Sequence, residues 1–385
     1  MAGSSRREKG TGNVYQRKNG SWIGRITIGK KADGSPQIKY FSGKTQAEVK
    51  RKIREYNQSG AKIQPKKIIF EDYIFNWLRI YKADSLKGTS YDRLENTIIH
   101  QIIPYIGDIQ LQQLSSDDIQ QLLSTLKSNG FSYSTIKKVY DAINAVMKHA
   151  TLKEDIAKNP MLLVKMPEKK LFDTKEIRFF SKEEAALIIE ESQRVYKTGK
   201  PVYTYGDLYI LMLNTGLRIG EAIGLEKQDW DTENRTLHIR RNIQLIKNRD
   251  GAERSTGYSI ATSTTKTYSG DRVIPLNKTA TEAMYRLQTR NPDSKYIAPT
   301  ENGNISYPPN VQRGFKRLLK NIGIEPTGIH TLRHTFASFL FNNNVDVKTV
   351  QKLLGHASIQ ITLNTYIHLI EKTDSKAVET LDDLF

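Results

Sequence analysis

Two polar segments divide this 385-residue chain and limit what it can fold into. Residues 57–67 read NQSGAKIQPKK, and residues 158–176 contain two prolines and many charges. Such segments are typical of linkers, because Gly and Pro interrupt helices and strands and charged residues bury little apolar surface. Since the chain is long enough for two or three cores, we expect three domains, at residues 1–60, 68–166 and 175–385.

The hydrophobic pattern differs between these three domains. Residues 12–56 indicate three short strands followed by one helix, whereas residues 68–166 show only helical periodicity. The last domain is mostly helical, with two strand-like stretches, 236–243 and 271–275, on either side of a long polar loop. The expected fold is therefore multidomain and mainly α with small β-sheets: a three-stranded sheet plus helix, a helical domain and an α+β domain.

Several residues predict where helices begin and end. Ser115 is expected to cap a helix of the second domain, and Pro104 to end an earlier one. Ser181 followed by Glu184 is a capping-box pattern, which predicts a helix over residues 182–197.

The chain has no cysteine and a formal net charge of +18. The lack of cysteine excludes disulfides, thiol catalysis and thiolate metal sites. Residues 1–70 hold 17 Lys or Arg against four Asp or Glu, and this excess favours a polyanionic partner. With no signal peptide and no long apolar run, we expect a soluble cytosolic protein without a membrane partner.

The basic residues of the first domain alternate with strand-forming residues. A solvated basic tail is the simpler interpretation, but a sheet with a charged face can also enter the major groove of DNA. We favour DNA binding. The candidate DNA-binding residues are Arg17, Lys18, Trp22, Arg25 and Lys39.

Six residues of the last domain form a chemically coherent set. They are Arg218, Lys266, His330, Arg333, His356 and Tyr366. Arginine binds phosphate oxygens bidentately, and a tyrosine hydroxyl can act as a covalent nucleophile. The set predicts attack on a phosphodiester with neither a metal nor a cofactor.

Each of these residues lies in a local motif. Arg218 lies in TGLRIGEAIGL, whose glycines favour a tight turn that opens a helix. Lys266 lies in TSTTKTYSGDRVIPL, and we expect it on one arm of a β-hairpin whose other arm is RVIPL. His330 and Arg333, three residues apart in HTLRH, share one face of a helix and can meet a single phosphate.

Two further spacings bear on this site. His334 follows His330 at the i,i+4 spacing of a zinc pair, but the zinc-protease pattern needs Glu after the first histidine, where this chain has Thr331. We therefore interpret His334 as a structural, hydrogen-bonded residue. Tyr366 comes ten positions after the LLGH string that ends at His356, and a turn and short helix are expected to bring it back.

From residue 68 to the end, the chain resembles the tyrosine recombinase (phage integrase) family. The resemblance is carried by TGLRIGE, KT..S..R.IPL, HTLRH and LGH…TYIH together. It implies a SAM-like core-binding domain at residues 68–166 and a catalytic domain with a C-terminal tail at 175–385. Residues 12–56 resemble the arm-type DNA-binding domain of integrases from conjugative transposons and temperate phages of Gram-positive bacteria. All six catalytic positions match, although Thr264 and Thr265 stand where relatives often have prolines.

Functional-group chemistry then suggests a mechanism for a recombinase. Tyr366 attacks the scissile phosphorus, which forms a 3′-phosphotyrosyl link and releases a 5′-hydroxyl. Arg218 and Arg333 neutralise the charge on the phosphate oxygens, and Glu221 is a candidate to orient Arg218.

The remaining catalytic residues are assigned to proton transfer. An unperturbed tyrosine has a pKa of about 10, so it needs a base. We assign that role to His330, the role of general acid to Lys266, and a hydrogen bond to the phosphate to His356.

The resemblance also implies a bacterial, nucleoid-associated location and the partners of the protein. These are double-stranded DNA at core and arm sites, a homotetrameric synapse that passes through a Holliday junction, and an accessory excision factor or host DNA-bending protein. The tail SKAVETLDDLF is expected to pack on a neighbouring protomer.

Two alternatives share parts of this pattern. A type IB topoisomerase uses the same chemistry without strand exchange, and a catalytically inactive regulator would keep only DNA binding. The basic first domain and the C-terminal tail favour a recombinase over the topoisomerase, and the intact set of six residues argues against the regulator.

Overall fold

The computed structural model describes residues 13–17, 20–30, 35–58, 68–172, 177–249, 257–264 and 270–370. The contacts divide the chain into two compact units. One comprises residues 1–85 and 94–172, and the other comprises residues 86–93 and 173–385.

The first unit begins with a small sheet covered by a helix. Its elements are β1 (Asn13–Gln16), β2 (Trp22–Lys30), β3 (Pro36–Gly43) and α1 (Gln46–Gln58). The strands are antiparallel in the order β1-β2-β3, and Val49 and Ile53 of α1 pack on one face. A Cβ on Gly24 would lie 2.6 Å from Ile53 and 2.7 Å from Val49, so glycine allows the helix to approach the sheet. The predicted three strands and helix are confirmed.

The described residues 68–172 contain five α-helices, and the start of the second of them, up to residue 93, belongs to the second compact unit. They are α2 (Phe70–Tyr81), α3 (Gly88–Thr97), α4 (Ile103–Ile106), α5 (Ser116–Ser128) and α6 (Tyr133–Leu152). The cap predicted at Ser115 is confirmed: its hydroxyl accepts from the Asp118 backbone N–H, and the Asp118 carboxylate accepts from the Ser115 N–H.

The prediction that Pro104 ends a helix is wrong. One turn of π-helix, Ile98–Ile102, follows α3, and α4 then continues to Ile106. The wider turn changes the hydrogen-bond register, so Pro104 falls in the first turn of α4, where no backbone N–H is required.

The second unit is mainly helical. Its helices are α7 (Lys182–Ser192), α8 (Gly206–Thr215), α9 (Ile219–Ile223), α10 (Lys278–Arg290), α11 (Pro308–Asn321), α12 (His330–Asn342), α13 (Val347–Leu354) and α14 (Ile359–Ile370). Helix α8 is buried along nearly its whole length and forms the centre of the core. Across the described parts of both units, no helix combines the length and the apolar character that crossing a membrane requires.

The strands of this unit are β4 (Trp230–Asp231), β5 (Thr236–Ile239), β6 (Arg241–Lys247), β7 (Tyr258–Thr264) and β8 (Arg272–Pro275). They form a three-stranded sheet in the order β4-β5-β8 and a separate pair, β6 with β7. The stretch predicted as one strand at 236–243 is thus divided between two sheets. The expected pairing of the Lys266 segment with RVIPL is also wrong for the described strands, because β8 pairs with β5 and β7 with β6.

Helix α7 begins as predicted and ends early. The Ser181–Glu184 capping box is present, but the helix stops at Ser192 rather than at residue 197. Val195 instead pairs with Pro201 across a turn in which Gly199 has a φ of +78°. The Gly and Pro of this turn oppose helix continuation.

Candidate active site

Arg218 lies at a turn between two helices, as the sequence predicts. Helix α8 ends at Thr215, and Gly216 has a φ of +66°. A Cβ on Gly216 would come within 2.5 Å of the Phe336 ring, so this position needs glycine for conformation and for space. Arg218 is then the N-cap residue of α9.

Arg333 projects from α12 into the protein and is 6% exposed. Its guanidinium donates to the carbonyls of Gly216 (2.7 Å) and Leu354 (2.8 Å). Burial and the positive charge of Arg218 lower the pKa of Arg333 to about 9, so the group remains positively charged at neutral pH. Two main-chain carbonyls therefore hold one charged guanidinium in a fixed orientation.

Three consecutive carbonyls at the end of α13 each accept a hydrogen bond from a different arginine. The pairs are Leu353 with Arg272 Nε (2.8 Å), Leu354 with Arg333 Nη2 (2.8 Å) and Gly355 with Arg218 Nη2 (3.3 Å). Carbonyls at a helix C-terminus lack intrahelical partners and carry partial negative charge. The end of α13 thus gathers three positive charges, the arginine cluster Arg218, Arg272 and Arg333.

Glu221 supplies the full negative charge within this cluster. It is 3% exposed and accepts from the Arg218 backbone N–H (2.9 Å), Arg218 Nη1 (2.8 Å) and Arg272 Nη2 (2.9 Å). Burial raises the pKa of Glu221, but hydrogen bonding and charge from Arg272, then the charge of Arg218, outweigh it and lower that pKa to about 2. The carboxylate is therefore ionised and orients both arginines.

Arg272 is a positioning residue that the sequence reasoning missed. It opens β8, in which Arg272 and Ile274 are buried and Val273 is exposed. That two-residue alternation was visible in RVIPL and placed the arginine on the inward face.

His356 lies directly beyond the left-handed cap Gly355. It is almost fully buried, and its Nδ1 is 2.8 Å from Thr362 Oγ1. Burial, Arg333 and Arg218 lower the pKa of His356 to about 4. At neutral pH the ring is uncharged, so it can act as a neutral hydrogen-bonding group beside the arginines.

Tyr366 lies on α14 with its ring in an apolar cluster and its hydroxyl on a histidine. The ring packs against Phe341, with 5.5 Å between centroids. The hydroxyl is 2.9 Å from Nδ1 of His334. Burial raises the pKa of Tyr366 to about 12, although Arg333 opposes this change. The phenol is therefore protonated at neutral pH.

His330 is the first residue of α12 and is exposed, one turn before His334. Desolvation, Arg333 and Arg218 lower its pKa. The histidine hydrogen-bonded to the Tyr366 hydroxyl is His334, for which the sequence predicts a structural, hydrogen-bonded role.

The structure thus brings five of the six predicted residues into one cluster: Arg218, His330, Arg333, His356 and Tyr366. Their charges influence one another's pKa values. Lys266 and the tail SKAVETLDDLF lie outside the described residues.

The candidate DNA-binding residues lie on different faces of the N-terminal sheet. Arg25 points away from α1, whereas Trp22 packs with the small core and Lys39 Nζ lies 4.3 Å from the centre of the Tyr56 ring. Arg17 is exposed at the end of β1. Lys18 lies outside the described residues.

The outer face of this sheet also carries aromatic residues that the sequence analysis did not select. Tyr40, which is 61% exposed, is the cross-strand partner of Arg25, and Tyr15 is exposed on β1. Tyr15 and Tyr40 alternate with inward-facing residues along their strands, and this pattern in the sequence indicates that they are exposed.

Two family models match this chain. Residues 178–373 match the phage integrase family, and residues 69–127 match the phage integrase N-terminal SAM-like domain. Together these matches cover most of the part of the chain that follows the first linker.

Several proteins are similar over most of the chain. The Tyrosine recombinase XerC-like protein of Caldanaerobacter subterraneus subsp. tengcongensis is 29% identical over 96% of this chain and 98% of its own length. The transposase from transposon Tn916 of Enterococcus faecalis is 26% identical over 68% of this chain and 65% of its own length.

Solved structures show the same fold. The Tn1549 transposon integrase in complex with transposon right end DNA has a TM-score of 0.64 at 24% identity, over 82% of this chain and 100% of that one. A lambda integrase dimer bound to a core site has a TM-score of 0.58 at 16% identity, over 94% of this chain and 96% of that one. With its arginine cluster, histidines and buried tyrosine, the chain belongs to the phage integrase family of tyrosine recombinases.

Proposed function

We propose that this chain is a site-specific DNA recombinase that integrates and excises a mobile genetic element through a 3′-phosphotyrosyl intermediate. The observation that carries this proposal is the packing of Tyr366 against α12, the helix of Arg333, whose charge acts on the phenol. Arg333 and Arg218 in turn donate to the neighbouring carbonyls of Leu354 and Gly355, although α14 is far from α9 in sequence. A phenol beside fixed guanidinium groups is suited to covalent attack on a phosphodiester.

In the cleavage step, the Tyr366 oxygen bonds to the scissile phosphorus and the bond to the 5′-oxygen breaks. Arg218 and Arg333 stabilise the negative charge that builds on the non-bridging oxygens. We assign to the neutral ring of His356 a hydrogen bond to the same phosphate. The sequence assigns protonation of the leaving 5′-oxygen to Lys266 and removal of the phenolic proton to His330.

The phosphotyrosyl ester retains the energy of the broken bond, so a 5′-hydroxyl from a partner strand can reverse the step without a nucleotide cofactor. Exchange of two strand pairs then requires four protomers and a Holliday junction. In support, a solved structure of lambda integrase is a tetramer bound to a Holliday junction. An accessory excision factor or DNA-bending protein, and a C-terminal tail packed on a neighbouring protomer, are parts of the same proposal.

Each domain receives one task. Residues 1–60 bind arm sites, residues 68–166 bind core sites, and residues 175–385 catalyse strand cleavage and rejoining. The exposed outer face of the N-terminal sheet supports the first assignment, because Arg25 and Tyr40 stand together on it. Neither the topoisomerase nor the inactive regulator gains support, since the similar proteins are integrases, recombinases and transposases.

Covalent capture tests the proposal. The full chain is incubated with nicked duplexes whose core sequence is randomised, and the DNA linked to protein is recovered and sequenced. A recombinase enriches one core sequence and joins two copies of it. Efficient relaxation of plasmids that lack this sequence would instead indicate a topoisomerase.

Tyr366→Phe is the matched control for this capture. It removes only the nucleophilic oxygen, so it should abolish the adduct while DNA affinity changes less than about twofold. An adduct that persists in this variant would show that another residue is the nucleophile.

A further inference from the structure

We propose that His334 is the general base that takes the phenolic proton of Tyr366 during DNA cleavage and returns it during rejoining. This inference rests on the proposed recombinase function, and it adds a catalytic residue to the six expected from the sequence.

The geometry of the pair is the main support. His334 Nδ1 lies 2.9 Å from the Tyr366 hydroxyl, and the two ring centroids are 5.9 Å apart. This distance lies within the range expected between a base and the group it deprotonates. The two residues come from different helices, α12 and α14, so tertiary packing creates the contact.

The state of the phenol determines the direction of this hydrogen bond. Burial raises the pKa of Tyr366 to about 12, so at pH 7 only roughly one phenol in 10⁵ is ionised. A protonated phenol donates, and Nδ1 of a neutral ring with its proton on Nε2 accepts. A nucleophile that is so rarely ionised needs a base within reach.

The charges around His334 keep its ring neutral. Desolvation lowers the pKa of His334, and the neighbouring His330 and Arg333 of its own helix lower it further. The other facing groups are His356, whose pKa responds to His334, and the Tyr366 hydroxyl. No negative group acts on the His334 pKa among the described residues, so the base is already deprotonated at neutral pH.

The step balances in protons and bonds. The Tyr366 O–H proton moves to His334 Nδ1 as the oxygen bonds to phosphorus, and the 5′-oxygen leaves and takes a proton from the general acid. In rejoining, the 5′-hydroxyl attacks phosphorus and gives its proton back to the general acid. The bond between phosphorus and the tyrosine oxygen breaks, and Nδ1 returns its proton to that oxygen.

Assigning the base to His334 replaces the base role that the sequence assigns to His330, whose position suits another role. It lies one turn away at the exposed start of α12, where it can meet the phosphate beside Arg333. His334 is half-buried against the phenol.

The test measures the rate of covalent adduct formation by the full chain on the nicked duplex that covalent capture identifies. The variants His334→Ala and His334→Asn are compared with wild type and with His330→Ala. We expect His334→Ala to cleave at least about 100-fold more slowly, because general bases contribute roughly 10²–10⁴-fold. Added imidazole should restore at least about tenfold in His334→Ala, since it fills the vacated space and accepts the proton, and should not restore His330→Ala. Loss of activity without rescue would overturn the base role.

His334→Asn keeps a polar group near the Nδ1 position but has no basic nitrogen. It therefore tests the base role even if the alanine variant does not fold. Its cleavage rate should rise about tenfold per pH unit from pH 7 to 9, as phenolate replaces the base, while the wild-type rate stays nearly flat. A His334→Asn rate within about threefold of wild type at pH 7 would contradict the inference, given the size expected of a general base. Failure of the wild-type chain to form any adduct would instead contradict the proposed function.

Discussion

The arginine cluster and Tyr366 of α14 are held by different kinds of contact. The arginines are bound by three main-chain carbonyls at the end of α13 and by the buried carboxylate of Glu221. Tyr366 is held by one side-chain hydrogen bond to His334 and by an apolar cluster. Charge-assisted bonds to backbone fix direction, whereas apolar packing is non-directional. Hydrogen bonds therefore fix the direction of the arginine cluster, whereas Tyr366 is held mainly by packing.

The largest loss of cleavage rate should come from a substitution in the arginine cluster. Arg333→Lys keeps the positive charge but loses the planar guanidinium, which donates to the Gly216 and Leu354 carbonyls at the same time. We expect adduct formation to fall by at least about 100-fold, comparable to the loss of a transition-state donor, with DNA affinity nearly unchanged. A rate within about threefold of wild type would show that charge alone suffices at this position.

Glu221→Gln should weaken both stability and rate. It leaves Arg272 buried without its ionised partner, and breaking such a pair costs about 3–5 kcal/mol of unfolding free energy. Arg218 also loses its orientation, so we expect cleavage about 10–100-fold slower. Urea unfolding and single-turnover cleavage measure the two effects.

Asp207→Asn is the matched control. Asp207 is equally buried and pairs with Arg286 and Arg290 of α10, a helix that contributes no residue to the site. It should lose comparable stability but keep its cleavage rate within about threefold at a temperature where it is folded. Equal loss of rate in both variants would mean that Glu221 acts only through stability.

Low pH should weaken the ion pairs of Glu221 with Arg218 and Arg272. The pKa of Glu221 is lowered from 4.5 to about 2, so the unfolded chain binds this proton at a higher pH than the folded one. Its stabilisation, on the order of 3 kcal/mol, is full above about pH 4.5 and is lost as pH falls toward 2. Unfolding of wild type and Glu221→Gln between pH 2 and 6 should therefore converge at the acid end. A difference that is constant across this range would contradict the assignment.

The smallest loss of cleavage rate is expected at Thr362, the residue that contacts His356. Thr362→Val removes the hydroxyl that contacts His356 Nδ1, at a cost of about 1 kcal/mol, or roughly fivefold in rate. Thr362→Ser keeps the hydroxyl and should restore most of that rate. Equal rates in the valine and serine variants would show that this hydrogen bond does not orient His356.

Local signals in the sequence were sufficient for much of the fold. The Ser115 and Ser181 capping boxes, the turn at Gly216 and the order of strands and helices in the first domain all follow from residues within a few positions of one another. The predictions for Pro104, the end of α7 and the hairpin of RVIPL were wrong because each depended on a register or a strand partner that local propensity does not specify.

By itself, the sequence determined the family, the residue types of the site and the turn that presents Arg218, because short motifs encode local backbone geometry. Only the tertiary structure decided that Arg272 supports Glu221, that the end of α13 gathers three arginines, and that His334 meets the Tyr366 hydroxyl. These contacts join elements far apart along the chain, and their geometry depends on how whole helices pack.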